Sequence, residues 1–244
     1  MIQARSFLLF CLLSAGPLPG QSFEVASVKP SAPNSHTETR RWPGGRFTAS
    51  GVTLRALIQR AYEVQDFQIV GGPKWVDNDR FDIEAKPAVG WSGDLHLLIQ
   101  SFLAERFHLA IRRENRELRR YVLSVAKGGI RLTPNTSGSQ TWTLGIGTLR
   151  GENISMEMLA TDLLQKVLHQ PVVNQTGVSG DFDLKLAWTP DETTPADIGS
   201  QSSFSEFGPS FFTAIREQLG LHLTPGRGPV EVLIMDSVER PSEN

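Results

Sequence analysis

The chain has 244 residues, of which 39% are hydrophobic and 20% charged, and its formal net charge is −2 at pH 7. This length allows one large domain or two small ones. The near-neutral charge argues against a nucleic-acid-binding protein, which would carry a marked basic excess.

The first twenty residues predict a secretory signal peptide. Arg5 supplies a positive charge before a short apolar run at residues 7–13, and small or turn-forming residues follow up to Gly20. The run is too short to span a bilayer. We therefore predict cleavage after Gly20 and export of the mature chain to the periplasm or the exterior; the alternative is an uncleaved N-terminal anchor.

The single cysteine, Cys11, lies inside this apolar run and would be removed with it. Phe10 stands before it, where a lipoprotein signal needs a small residue, so we expect no lipidation. The mature chain would then have no disulfide, no thiol nucleophile and no cysteine metal ligand. Removal of residues 1–20 takes away Arg5 and leaves 23 basic and 26 acidic residues, a formal charge of −3. No later apolar run approaches transmembrane length.

The mature chain contains the same pattern twice, once from Gly45 to Pro87 and again from Gly147 to Pro190. At one constant offset, six residues of the first copy match six of the second in character: Gly45, Phe47, Val52, Thr53, Leu54 and Leu57 against Gly147, Leu149, Ile154, Ser155, Met156 and Leu159. The tripeptides Phe-Asp-Ile at 81–83 and Phe-Asp-Leu at 182–184 match after a slip of one residue. The pattern indicates an internal duplication.

Taken in chain order, alternation predicts a strand at 23–29 that ends at Pro30, and a polar loop and a turn follow it. Thr53 is a predicted N-cap, and the apolar residues after it fall at the spacing of a one-sided helix. Ser155 predicts the equivalent helix in the second copy.

The elements that follow each copy also correspond in order. Helices are predicted at 95–107 and 210–219. Each is followed by two predicted strands, at 108–112 and 121–126 in the first copy and at 221–223 and 230–235 in the second. Residues 191–208, rich in Ser, Thr, Asp and Glu, predict a mobile surface loop, and residues 240–244 a frayed end.

These elements predict an α+β fold, internally duplicated, in which each half is a mostly antiparallel sheet covered by two helices. The predicted division is a signal peptide at 1–20, a first half at 21–134, a linker at 135–141 and a second half at 142–244.

The densest charge lies between Ile111 and Arg120, which holds five arginines and two glutamates. The pattern is typical of a solvated β-hairpin tip. The alternative is a patch for an acidic surface, such as lipid head groups or a protein partner.

No motif in the chain predicts chemistry. None of the five histidines stands in a metal-binding pattern, and there is no nucleophile elbow, phosphate loop or dinucleotide fingerprint. The acidic cluster at 77–82 lacks the glycine and glutamate of a calcium loop. A turn at the start of a strand, in which an Asp side chain bonds backbone N–H groups, accounts for it and for its counterpart at 180–183. We predict no catalytic, cofactor-binding or metal-ligating residue.

The five tryptophans lie mostly near predicted turns or strand ends: Trp42, Trp75, Trp91, Trp142 and Trp188. This placement favours packing at the rim of a sheet. Stacking on a carbohydrate is the alternative.

Several stretches resemble a large exported family of soil bacteria built on a domain of unknown function. The resemblance covers residues 23–244 nearly throughout and includes FEVASVKPS, PGGRFTASGVTLRALIQRAY, GGPKWVDNDRFDIEAK, PVVNQTGVSGDFDLKLAWTPD and GPVEVLIMDSVERPSEN. Some relatives look like the same domain joined to a BlaR1-like membrane metallopeptidase. This chain lacks that peptidase, so the resemblance implies no catalytic role and no site residues. More weakly, residues 52–70 resemble the strand–helix–strand modules at the N-termini of secretins and outer-membrane transporters, which bind periplasmic partners.

We therefore expect a non-catalytic envelope or secreted protein that binds something. The occupant would be a protein at a sheet edge, or a small ligand or glycan in a groove between the two halves. One alternative is a hydrolase of envelope material that uses carboxylates such as Asp79 and Asp82. Another is a sensor-linked ligand-binding module, which the peptidase-fused relatives suggest.

Overall fold

The computed structural model describes residues 22–33, 35–136, 138–190 and 208–241. The predicted signal peptide, nearly all of the predicted loop at 191–208 and the last three residues of the chain lie outside the described residues. In the part of the chain that is described, no helix is both long and apolar enough to cross a membrane.

The first sequence half forms six strands and three helices: β1 (Val25–Pro30), β2 (Glu38–Arg41), β3 (Phe47–Thr53), α1 (Leu54–Tyr62), β4 (Ile69–Val70), α2 (Trp75–Asn78), β5 (Arg80–Lys86), α3 (Leu95–Phe107) and β6 (Ala110–Val125). The predicted helix at 95–107 is confirmed with the predicted bounds.

The second half repeats this order without an equivalent of α2: β7 (Thr133–Asn135), β8 (Thr141–Gly145), β9 (Thr148–Ser155), α4 (156–168), β10 (Val172–Asn174), β11 (Asp181–Ala187), α5 (211–219) and β12 (Leu221–Ser237). Both helices of this half contain a π-helical stretch, Leu159–Leu164 in α4 and Ile215–Leu219 in α5.

Three four-stranded sheets carry the architecture, and two of them have the same strand order. The first sheet runs β1-β5-β3-β2 and the second β7-β11-β9-β8, with antiparallel pairing throughout both. The third sheet runs β10-β6-β12-β4. In it β4 pairs in parallel with β12, and β10 with β6. Each short strand thus joins the long strand of the other sequence half. The fold is α+β, as predicted.

The contacts divide the described chain into two compact units, and this division differs from the predicted one. The first unit holds residues 22–63, 72–110 and 237–241, and the second holds 64–71 and 111–236. The linker predicted at 135–141 lies inside the second unit, since β7 and β8 at its two ends are outer strands of the second sheet. Strand exchange in the third sheet explains why 64–71 and 111–134 belong to this unit.

The helices that open each copy begin as predicted. The Thr53 hydroxyl accepts a hydrogen bond from the Ala56 N–H at 3.2 Å, and the Ser155 hydroxyl one from the Met158 N–H at 3.1 Å. Such caps satisfy N–H groups that the first turn leaves without a partner. The predicted apolar stripes are buried: Leu54, Leu57, Ile58 and Ala61 in α1, and Met156, Leu159 and Leu163 in α4.

Two long strands replace the pairs of short strands predicted after α3 and α5. The strand β6 has 16 residues and β12 has 17. Charged residues continue β6 because they pair with β12: Arg112 Nε lies 3.0 Å from Asp236 Oδ1. The Pro-Gly-rich stretch 225–229 remains in β12, whose outer neighbour β4 pairs only with Leu233 and Ile234. A proline has no N–H to donate. It is therefore tolerated at a strand position whose N–H side faces no partner strand.

Candidate functional site

The carboxylates considered for catalysis, Asp79 and Asp82, both have structural partners. Asp82 Oδ1 accepts hydrogen bonds from the Ser31 hydroxyl at 2.6 Å and from the Gly51 N–H at 2.9 Å. Asp79 Oδ2 accepts one from Arg240 Nε at 2.9 Å, which also ties down part of the chain end predicted to fray. These contacts support a structural role for both carboxylates.

The second copy repeats the Asp82 arrangement. Asp183 Oδ1 accepts from the Asn135 side-chain amide at 2.5 Å and from the Asn153 N–H at 3.1 Å. Gly51 and Asn153 have positive φ angles of 62° and 57°, and the strand register shifts at both places. Each aspartate therefore holds a β-bulge in the neighbouring strand. The predicted bond to a backbone N–H is present, but its donor is a bulge and not a strand-entry turn.

The histidines lie apart from any cluster that could chelate a metal. In the described residues no group of three or more His, Cys, Asp or Glu side chains is placed to hold a metal ion. His96 and His108 each approach one glutamate at 3.3 Å, Glu63 and Glu239 respectively. His169 ends α4 with a left-handed φ of 49°.

The arginine-rich segment 111–120 lies within β6 and not at a hairpin tip. Glu114 accepts hydrogen bonds from Arg116 Nε at 2.8 Å and from Arg112 Nη1 at 2.5 Å, and these two arginines lower its pKa. Bonds to Glu114 and Asp236 raise the pKa of Arg112. Arg113 pairs with Glu231 across the sheet. Paired charges along a strand explain this composition better than a patch for an acidic surface.

A groove of about 870 Å³ lies on the first sheet, within the first unit. Its floor is the sheet face opposite the buried side chains, where Val25 stands beside Lys86 and Ser27 beside Glu84. Two loops form its walls, and the lining residues are Val25, Ser27, Pro43, Gly44, Arg46, Glu84, Lys86, Pro87, Ala88, Val89, Gly90 and Trp91.

Gly45 sets the position of one wall of this groove, the Trp91 ring. Gly45 has a φ of 80°, and a Cβ there would lie 2.5 Å from the Trp91 ring and 2.9 Å from Pro87 Cγ. Only glycine permits this conformation and this close approach together. The matched Gly147 packs on the Trp188 carbonyl instead, where a Cβ would lie 2.6 Å away.

The outer strands β2 and β8 differ sharply in charge although they occupy equivalent places. β2 reads ETRR, and β8 reads TWTLG. Their registers against β3 and β9 make Thr141 the equivalent of Glu38, and Thr143 the equivalent of Arg40. Charged residues are absent from the whole stretch 132–149.

A family model described as a protein of unknown function (DUF3738) matches residues 55–238, more than half of the chain. The chain belongs to the DUF3738 family. The match confirms the predicted resemblance at the level of a domain of unknown function. Comparisons with curated proteins and with solved structures found no match.

The DUF3738 match runs from the first turn of α1 into the end of β12 and includes both helix pairs and β8. The matched residues include the part of the groove formed by β5 and by the wall at 87–91. The other lining residues, Val25, Ser27 and 43–46, lie before the matched region. The groove was missed from the sequence because its residues come from three separate segments. The uncharged run that contains β8 can be seen in the sequence. That β8 is an outer strand of the second sheet can be seen only in the structure.

Proposed function

We propose that this DUF3738 protein is an exported, non-catalytic interaction module of the cell envelope, which binds an extended, uncharged segment of another protein as an additional strand beside β8. The observation that carries the proposal is the uncharged edge of β8, which no other described strand covers. Strand addition gives affinity through backbone hydrogen bonds and specificity through alternate side chains.

Open strand edges invite unwanted pairing, and proteins protect them with charges, proline or short length. The other outer strands of the three described sheets have such protection. β2 carries three charges, β1 contains Lys29 and Pro30, and β7 has three residues with a central proline. β4 and β10 have two and three residues. β8 has five residues and neither a charge nor a proline.

The duplication shows that the two sheets place their charges on different strands. In the first sheet Glu38 and Arg40 pair at 2.6 Å on the outer strand and stand opposite Ser50 and Thr48 of β3. In the second sheet the charges lie on the inner strand, where Glu152 and Arg150 stand opposite Thr141 and Thr143. The outer strand of the second sheet is therefore left without charge, which suits the addition of an uncharged partner strand.

Trp142 supplies the apolar anchor that a docked strand would cover. It is 41% exposed although it lies on the helix side of β8, and Lys166 Nζ lies 4.6 Å from its ring centroid. Leu144, two residues along on the same side, packs partly against the core. Exposed aromatic residues at the centre of an interface commonly contribute much of the binding energy.

Transfer of the β2 charge pair to β8 tests the proposal. In the variant Thr141→Arg/Thr143→Glu the two signs are exchanged relative to β2, so that each new charge stands opposite a residue of the other sign, Glu152 or Arg150. This variant should therefore retain the fold. Peptides selected from a random 12-residue library on the wild-type protein should lose about tenfold or more in affinity. The reciprocal variant Glu38→Thr/Arg40→Thr is the matched control and should bind the same peptides as the wild type does.

Hydrogen exchange supplies the readout of position. A selected peptide should slow amide exchange in residues 141–145 and leave β2 unchanged. Peptides that bind the charge-transfer variant as well as the wild type, or that protect another segment, would contradict strand addition at β8. Sedimentation velocity would reveal self-association of the protein. If the charge-transfer variant abolished it, the partner strand at β8 would come from a second copy of this chain and not from another protein.

Export has its own test. Expression of the full chain in the native host should place it in the envelope or the medium, with a mass that lacks residues 1–20. A full-length protein in the cytosol would contradict the export part of the proposal and leave the test of the β8 edge unaffected.

A further inference from the structure

The groove on the first sheet has the size of a ligand site. Its volume of about 870 Å³ falls within the range of roughly 300–1,000 Å³ that is usual for small-molecule sites. It lies in the first unit and shares no residue with β8. Any ligand of this groove is therefore independent of the partner proposed for the strand edge.

Apolar side chains stand unusually open at this groove. Val25 is 63% exposed and Val89 is 92% exposed. Trp42, 38% exposed, directly precedes Pro43 of the groove wall. These are three of the six large hydrophobic residues exposed in the described part of the chain. A cluster of this kind marks a surface that gains by being covered.

The charges on the floor do not cancel. Arg46 Nη2 lies 2.6 Å from Glu84 Oε1, and its guanidinium also lies 5.7 Å from the centroid of the Trp42 ring. These two contacts fix the Arg46 side chain and neutralise Glu84. Lys86, beside Glu84 on the same face of β5, makes no ion pair or side-chain hydrogen bond with any described residue. The groove thus keeps one uncompensated positive charge among apolar walls.

We propose that this groove binds a small amphipathic organic anion, with its carboxylate at Lys86 and its apolar body along Val25, Val89 and Trp91. The ammonium group of Lys86 satisfies the charge of the carboxylate. The walls remove the apolar body from water, which supplies most of the affinity. Both features are needed, because the groove is open and an isolated charge contact in water contributes little.

The strand positions that carry the charges of this groove hold other residues in the described part of the second copy. The pairing of β11 with β9, compared with that of β5 with β3, makes Lys185 the equivalent of Glu84, and Ala187 the equivalent of Lys86. The lone lysine is therefore particular to the first half, and the sheet can be built without it.

Isothermal titration of the mature protein with decanoate and with decanol tests this assignment. The two probes share an apolar chain and differ in charge. Decanoate should bind, and decanol should bind about tenfold more weakly or not at all. Lys86→Met keeps the length of the side chain and should reduce decanoate affinity about tenfold, to the level of decanol. Lys29→Met is the matched control, since Lys29 lies on the same face of β1 beyond the groove, and should leave decanoate affinity unchanged.

A second variant separates the apolar wall from the charge. Val89→Ser changes a side chain that is almost wholly exposed, so the fold should be unaffected. It should weaken decanoate and decanol alike, whereas Lys86→Met should weaken decanoate alone. The assignment is overturned if decanoate does not bind at millimolar concentration, or if Lys86→Met binds it as the wild type does. Tighter binding of cellohexaose than of decanoate would overturn it in favour of a glycan.

Discussion

Replacement of Leu57 by aspartate is expected to unfold the first unit. Leu57 lies in the middle of α1 and is 1% exposed, within the apolar stripe that faces the first sheet. Truncation of a buried leucine to alanine costs about 2–5 kcal/mol, and an unpaired carboxylate adds its desolvation to that loss. The sum approaches the whole stability of a typical domain, about 5–15 kcal/mol. Urea denaturation followed by circular dichroism should show the loss of a cooperative transition.

Leu97→Asp provides the matched control for this substitution. Leu97 is 40% exposed in the first turn of α3, which Asp94 caps by accepting a hydrogen bond from the His96 N–H at 2.8 Å. A carboxylate near a helix N-terminus interacts favourably with the helix dipole, so the change in stability should remain within about 0.5 kcal/mol. Equal transition midpoints for Leu57→Asp and the wild type would mean that this face of α1 is not part of the core.

The parts of the fold that local chemistry determines could be predicted from the sequence. The N-caps at Thr53 and Ser155 and the stripes that follow them require only neighbouring residues, and α3 was predicted with both of its ends. The duplication was visible because the two copies keep the same residue types where a helix must pack on a sheet. Gly45 and Gly147 match because the backbone needs a positive φ at both places.

The third sheet could not be predicted, because long-range pairing decides it. The strands β4 and β10 have only two and three residues, which is too short for alternation to be recognised. Each becomes a strand through a long partner from the other half. The charged stretch of β6 and the Pro-Gly stretch of β12 indicate turns locally, but cross-strand ion pairs such as that of Arg112 with Asp236 hold them extended.

The candidate sites depend on the same long-range information. An uncharged stretch such as 132–149 is equally typical of a linker, and the sequence alone predicts one at its middle, 135–141. It becomes a candidate edge only when β8 is seen on the outside of the second sheet, opposite in character to β2. The groove requires Val25, Arg46 and Lys86 on one face, and only the register of β1, β5 and β3 brings them together.

The second large effect is expected at the bulges held by aspartate. Asp82→Ala removes the acceptor of the Ser31 hydroxyl and the nearer of the two acceptors of the Gly51 N–H, which keeps only the Ser31 hydroxyl oxygen at 3.2 Å. Hydrogen bonds to a charged group contribute about 1.5–3 kcal/mol, so we expect a loss of that size in the free energy of unfolding. Asp183→Ala should show a similar loss, because Asn135 and the Asn153 N–H lose the same acceptor. Asp82→Asn keeps an oxygen at the acceptor position and should lose less.

Asp77→Ala is the control for removal of a carboxylate that does not hold a bulge. Asp77 is an exposed partner of Arg55, and such surface pairs contribute about 0–1 kcal/mol. Equal destabilisation by Asp77→Ala and Asp82→Ala in urea denaturation would contradict the bulge role. The same variants distinguish a structural from a catalytic role of Asp82. If Asp82 were catalytic, Asp82→Asn would abolish hydrolysis of envelope material while the protein kept nearly all of its stability. The duplication argues for the structural outcome, since two copies of one bulge each keep an aspartate where the same backbone donor must be satisfied.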